Sequence, residues 1–179
     1  MSATLKPKHE HKGGRQWLAD IGESAALVSA ILAVVHPDLF DTGMEAINRL
    51  GHGGYNIGED PDRADVLSVW PSAFNGMSAI INRDTPSHRD TNSRAEWYDI
   101  LVTIGRYQNL FLDFPGLNLK LKYEGGTVVA FSGRLLLHRV EGCKEERICL
   151  AMYMRDNLHH RLGLPAPTWM HQQHYINMS

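Results

Sequence analysis

Apolar residues recur at helical spacing in the first third of the chain and at strand spacing in the remainder. Trp17, Ile21, Val28, Ile31 and Val35 predict a helix over Arg15–Val35. His36-Pro37 ends it, because a residue before proline is pushed out of the α region. Phe40, Met44, Ile47 and Leu50 predict a second helix, with Gly51 as a left-handed cap. The glycine-rich stretch 51–63 reads as a long loop, since it lacks the Gly-Lys-Ser/Thr ending of a phosphate-binding loop.

Beyond Ala64 the periodicity shortens. Strands are expected near 66–70, 76–83, 98–104, 109–114, 117–123, 127–131, 134–140 and 147–154. Leu117, Leu119, Leu121 and Tyr123 alternate with Asn118, Lys120 and Lys122, the pattern of a half-buried strand. Glu124-Gly125-Gly126 and Ser132-Gly133 mark tight turns. Two helices followed by about eight short antiparallel runs predict a mainly β fold. Its expected form is a double-sheet, jelly-roll-like barrel backed by N-terminal helices. Residues 1–14 are read as a flexible tail and 15–179 as a single domain, with helical support over 15–50 and a β core over about 64–160.

Composition narrows the class without naming it. The chain has 179 residues, of which 43% are hydrophobic and 21% charged, enough for one domain with a sizeable core. The formal charge of −2 supplies no general basic field to attract nucleic acid. Cys143 and Cys149 are the two cysteines, too few for a structural zinc module or a disulfide framework; they point to a reducing compartment. No apolar run reaches the roughly 18 residues needed to cross a bilayer, and the N-terminal residues do not read as a secretory signal.

The chemistry is carried by His88 and Asp90, followed by His138 and then Arg147. Ligands at i and i+2 can share one face of a strand. Two imidazoles and one carboxylate on one face of an octahedron suit ferrous iron and leave positions open for a cosubstrate and dioxygen. Iron(II), one Asp and the 2-oxoglutarate dianion sum to −1, so a buried guanidinium at the distal carboxylate is physically expected. Arg147 fits that part by forked hydrogen bonding. Arg83 is a second candidate for the cosubstrate.

Strand parity places Arg147, Cys149, Ala151, Tyr153 and Arg155 on one face, Met77, Ala79, Ile81 and Arg83 on another, and Leu136, His138 and Val140 on a third. Each is mostly apolar with one functional group, as a barrel interior holding a ligand would be. Arg155, Asp156 and Asn75 are candidates for contacting substrate, with capping of the next helix as the competing role for Asp156. Arg94, Glu96, Trp97 and Tyr98 could form one wall, although Trp97 and Tyr98 read better as core. His9, His11, His52, His159, His160, His171 and His174 read as surface residues.

The segments SHRDTNSRAEWYDILVTIG, YEGGTVVAFSGRLLLHRV and RICLAMYMRDNLHHRLG resemble the fungal branch of the TET/JBP dioxygenases, over roughly Leu67 to Trp169. The resemblance implies a double-stranded β-helix, iron ligation by His88, Asp90 and His138, and 2-oxoglutarate held by Arg147. It also implies Fe(II), 2-oxoglutarate and O2 as reactants. The implied setting is nuclear, with action on methylated DNA bases turned out of the stack. The Cys-rich zinc region of larger members is absent. The short, slightly acidic chain predicts weak or partner-assisted DNA binding; the basic segment from Lys6 to Arg15 is the one candidate aid. Two other readings stay open. One is a 2-oxoglutarate-dependent hydroxylase of a protein side chain or small molecule; the other is a binding module that keeps the site as a relic.

Overall fold

A computed structural model describes residues 5, 13–53, 62–140, 142 and 145–171. Of the expected tail 1–14, residues 1–4 and 6–12 lie outside the described residues, as do Cys143 and His174, while Gly14 already begins a helix. The chain divides into two compact units. One runs up to Asn75 and includes Asn157–Pro167; the other is Gly76–Asp156 with Thr168 onward.

The helical unit contains α1 (Gly14–Asp20), α2 (Gly22–Val35), α3 (Pro37–His52) and α4 (Arg63–Leu67). Where one helix was expected over Arg15–Val35, α1 and α2 are bent by 63° around Ile21. No single helix among the described residues is long and apolar enough to cross a membrane. His36 ends α2 as expected, and Pro37 starts α3, where its missing N–H costs nothing. The buried stripe of α3 is Leu39, Gly43 and Ala46, whereas Met44 is exposed, so the apolar period located the helix but not its inner face. Helix α3 runs through Gly51 to His52, and Gly53 rather than Gly51 takes the positive φ of 70°. The expected strand 66–70 is instead α4 and the turn that follows it, closed by Ser68 N–H to Ala64 O and Trp70 N–H to Leu67 O. A short apolar run does not by itself separate strand from helix. His159, expected at the surface, is buried.

Among the described residues the β unit holds eight strands: β1 (Gly76–Ile81), β2 (Thr85–His88), β3 (Asp99–Gly105), β4 (Phe111–Phe114), β5 (Leu119–Lys122), β6 (Val128–Phe131), β7 (His138–Val140) and β8 (Arg147–Tyr153). They form two antiparallel four-stranded sheets, ordered β1-β8-β3-β6 and β2-β7-β4-β5. Leu112, Phe114, Tyr123 and Val140 from the second sheet's side pack with Phe131 and Cys149 from the first in one core. This is the expected double-stranded β-helix.

Three strand differences have local causes. Strand β5 begins only at Leu119, because Pro115–Leu117 is a 3-10 turn and Asn118 adopts a left-handed φ of 50°. Strand β7 shortens to His138–Val140, because Leu135 and Leu136 donate back to Ser132 O in the preceding turn. Strand β2, Thr-Pro-Ser-His, was not expected; it is polar, carries Pro86 and lies at a sheet edge, where proline is tolerated.

Candidate active site

Strands β2 and β7 pair with His88 directly opposite His138. Thr85 pairs with Val140, so three steps along β2 match two along β7, and the extra residue is a bulge. Bulges re-aim side chains, and this one brings the two imidazoles together across the ladder, their planes tilted by 52°. Their ring centroids are 4.2 Å apart. Asp90 lies just past the end of β2, so the shared strand face expected for the i, i+2 pair is not what orients it. Its N–H donates to Gly133 O at 2.9 Å, anchoring it to the turn before β7.

The three side chains converge. His88 Nε2 lies 3.6 Å from Asp90 Oδ1, and His138 Nε2 lies 3.9 Å from Asp90 Oδ2. One ligand atom from each falls within 4.8 Å of the others. Both imidazoles are aimed by the same device. His88 Nδ1 is 2.9 Å from Pro86 O, and His138 Nδ1 is 3.0 Å from Leu136 O. A carbonyl accepts, so Nδ1 carries the proton and each Nε2 lone pair is left for a cation. Burial holds His138 below its ordinary pKa, only partly offset by the Leu136 bond, and so favours the neutral ligand form. Phe131 meets the His138 ring edge-on at 4.9 Å and limits its rotation.

A second carboxyl stands close by. Asp99, at the start of β3, is buried; its Oδ2 accepts Gly133 N–H at 3.2 Å, and its Oδ1 has no partner. Burial, and next the negative charge of Asp90, push its pKa up to about 7, with the Gly133 bond opposing. Gly133 is squeezed between the two acids: a Cβ there would collide with Oδ2 of both Asp90 and Asp99.

The site opens into a cavity of about 540 Å³, within the usual span of small-molecule pockets. His88, Asp90, His138, Asp99, Arg147, Arg83 and Arg155 all line it. All five odd-numbered residues from Arg147 to Arg155 face it, as parity predicted. Parity for β1 was misassigned. Ser78 pairs with Ala151 and Ile80 with Cys149, so the even positions face inward, while Ile81 is 59% exposed. Sequence parity shows which residues share a face but not which face is inner.

Arg147 is 1% exposed. Its Nη2 donates to Arg83 O at 2.8 Å, and its Nε has no partner. Among the described residues no carboxylate stands within ion-pair distance of it. A buried cation held only by neutral groups is suited to an anionic ligand. Beside it, Tyr123 OH lies 3.3 Å from Cys149 Sγ; burial raises both groups' pKa and keeps both protonated.

The remaining candidates separate. Arg155 lies over the Tyr153 ring, 5.2 Å from its centroid, and donates to Tyr153 OH at 3.3 Å. Asp156 is outside the cavity lining; it accepts from Arg94 at 3.3 Å at the start of α5 (Asp156–Arg161). Asn75 precedes β1, belongs to the helical unit and sits 3.5 Å from His159 Nδ1. Arg94, Glu96, Trp97 and Tyr98 do not line the cavity, and Trp97 is fully buried. Asp99, Tyr123 and Gly133 went unrecognised in the sequence. A carboxylate at the head of the apolar run Asp99–Ile104 was the available signal for Asp99.

The model of the Tet_JBP family, described as the oxygenase domain of the 2OGFeDO superfamily, matches residues 3–156. The chain belongs to the Tet_JBP family. It is thus a 2-oxoglutarate- and Fe(II)-dependent dioxygenase by superfamily. No curated protein matches it in sequence. The solved structure of NgTET1 in complex with 5mC DNA is similar in fold, at a TM-score of 0.57 and 18% identity. The match covers 96% of this chain and 60% of that one, so the Tet_JBP chain described here spans less than two thirds of the length of that solved chain.

The donor set fits the superfamily's reactants. Two imidazoles and a carboxylate match ferrous iron, and the unpartnered Nε of buried Arg147 matches a dicarboxylate. Iron with bound 2-oxoglutarate supplies the activation of dioxygen. The chain's part is to hold the ligands in register, to neutralise the acid and to supply an apolar portion of the cavity wall through Leu101, Val140 and Ile80.

Proposed function

We propose that the chain oxidises methyl groups on DNA bases: with 2-oxoglutarate and O2, a base methyl becomes a hydroxymethyl, with succinate and carbon dioxide released. His88, Asp90 and His138 hold the iron, Arg147 holds the cosubstrate, and Arg155 contributes to the substrate side. 5-Methylcytosine is the first substrate, giving 5-hydroxymethylcytosine. On an N-methyladenine the hydroxymethyl product would instead break down to formaldehyde and the free amine. The carrying observation is the convergence of His88, Asp90 and His138 beside a buried, uncompensated Arg147 in a Tet_JBP chain. The likeness to NgTET1, solved with 5mC DNA, supports DNA as the substrate class. The reading includes a nuclear setting and, in view of the charge of −2, weak or partner-assisted DNA binding. The same charge favours the second reading, a hydroxylase of a protein side chain or small molecule.

The test is nucleoside mass spectrometry after incubating methylcytosine- and methyladenine-containing duplexes with Fe(II) and 2-oxoglutarate. Hydroxymethylcytosine formed by the wild type and not by His88→Ala supports the proposal. Succinate release stimulated by peptides or small acceptors but not by either duplex selects the second reading. Duplex-stimulated turnover that survives His88→Ala refutes the site.

A further inference from the structure

We infer that Asn82 is a positioning residue for the cosubstrate end of the cavity, acting through Arg147; this rests on the reading of Arg147 as the cosubstrate anchor. Asn82 follows β1 directly, at the point where the β1–β8 ladder ends with Ile81 opposite Ile148. It leaves the strand in the left-handed region, with φ of 48°. Asparagine is among the few side chains that adopt this conformation readily. Having turned away, it still closes the ladder onto the next residue of β8. Its backbone N–H donates to Arg147 O at 3.0 Å, and its side-chain Oδ1 accepts Arg147 N–H at 2.7 Å. The side chain therefore replaces the backbone carbonyl that a straight strand would have offered.

The same turn sets the guanidinium. Because Asn82 is left-handed, the next carbonyl, that of Arg83, comes to 2.8 Å from Arg147 Nη2. Backbone and side chain of Arg147 are thus tied to two consecutive residues. Arg83 takes part in this cradle through its carbonyl, while its own side chain is exposed. Nothing else in the hydrogen bonding of Arg147 fixes its direction: Nε is unpartnered, and no described carboxylate pairs with it. Removing Oδ1 frees the first residue of β8 at its amide and lets the guanidinium drift from the position that meets an acid. Iron ligation is on other strands and should not follow.

The test is titration of 2-oxoglutarate into the full chain loaded with Mn(II) without oxygen, read by calorimetry, alongside Mn(II) affinity and steady-state kinetics. Asn82→Gly keeps the left-handed backbone and deletes the acceptor. Loss of one hydrogen bond predicts about tenfold weaker 2-oxoglutarate binding and a matching rise in its KM, with kcat at saturation and Mn(II) affinity unchanged. Asn82→Gly binding 2-oxoglutarate like wild type, or losing Mn(II) affinity in proportion, overturns the inference. A wild-type chain that binds Mn(II) but not 2-oxoglutarate overturns the cosubstrate reading and this inference with it. That outcome is distinct from a defect confined to the variant.

Discussion

Replacing Gly133 by alanine adds one methyl group at the tightest point of the site. The new Cβ would overlap Oδ2 of Asp90 and Oδ2 of Asp99 at once. Reaching ordinary van der Waals separation from both needs a displacement on the order of 1 Å. Asp90 has little freedom to yield, because its own N–H is tied to Gly133 O at 2.9 Å. Asp99 is buried and cannot swing into solvent. Ligand positions in a metal site tolerate only about 0.2 Å, so the shift falls on the metal. Loss of outer-shell support typically lowers metal affinity about 10- to 100-fold, and overpacking costs about 1–3 kcal/mol of stability. The assay is anaerobic Co(II) titration followed by visible absorption, with thermal melts of the metal-free proteins. Gly116→Ala is the matched control, since a Cβ there meets nothing within 4 Å. Wild-type Co(II) affinity in folded Gly133→Ala would show that Asp90 is not held by this turn as described.

Two further outcomes are expected. Asp99, raised to about 7 in the fold from 3.8, binds a proton on folding between those values. Its contribution is therefore present at low pH and lost as pH rises through about 7; metal-free wild type should lose up to about 1.4 kcal/mol per pH unit relative to Asp99→Asn across that window. Urea melts of both proteins from pH 5 to pH 7 check this, and a stability gap that does not change with pH rejects it. Arg147→Lys keeps the charge but not the fork, and a charge-assisted hydrogen bond contributes about 1.5–3 kcal/mol. The KM for 2-oxoglutarate should rise about 10- to 100-fold while the affinity for Co(II) stays within error, and an unchanged KM removes Arg147 from the cosubstrate role.

Much of the site was legible because imidazole, carboxylate and guanidinium occur together for few reasons other than metal and anion binding. His88, Asp90, His138 and Arg147 could be named from residue type and spacing, although the strand face expected to align His88 with Asp90 is not what does so. Parity also brought Arg155 to the cavity wall. What misled was local. The run 66–70 looks like a strand because its apolar residues are too few to show a period, and it forms α4 and a turn. Asn75 is a substrate candidate by residue type, but it belongs to the helical unit and sits beside His159. Asp156, at the same strand end as Arg155, is taken by Arg94.

The order of residues by itself determined the two classes of secondary structure, the ligand types and the family, since these depend on side-chain chemistry and short-range periodicity. Only the tertiary structure decided how the ligands meet. The bulge that sets His88 opposite His138, the Gly133 turn that holds Asp90 between strands, and the Asn82 turn that aims Arg147 all depend on register between segments tens of residues apart. Such register follows from how two sheets close on a shared core, a property of the packed chain that no single stretch of sequence carries.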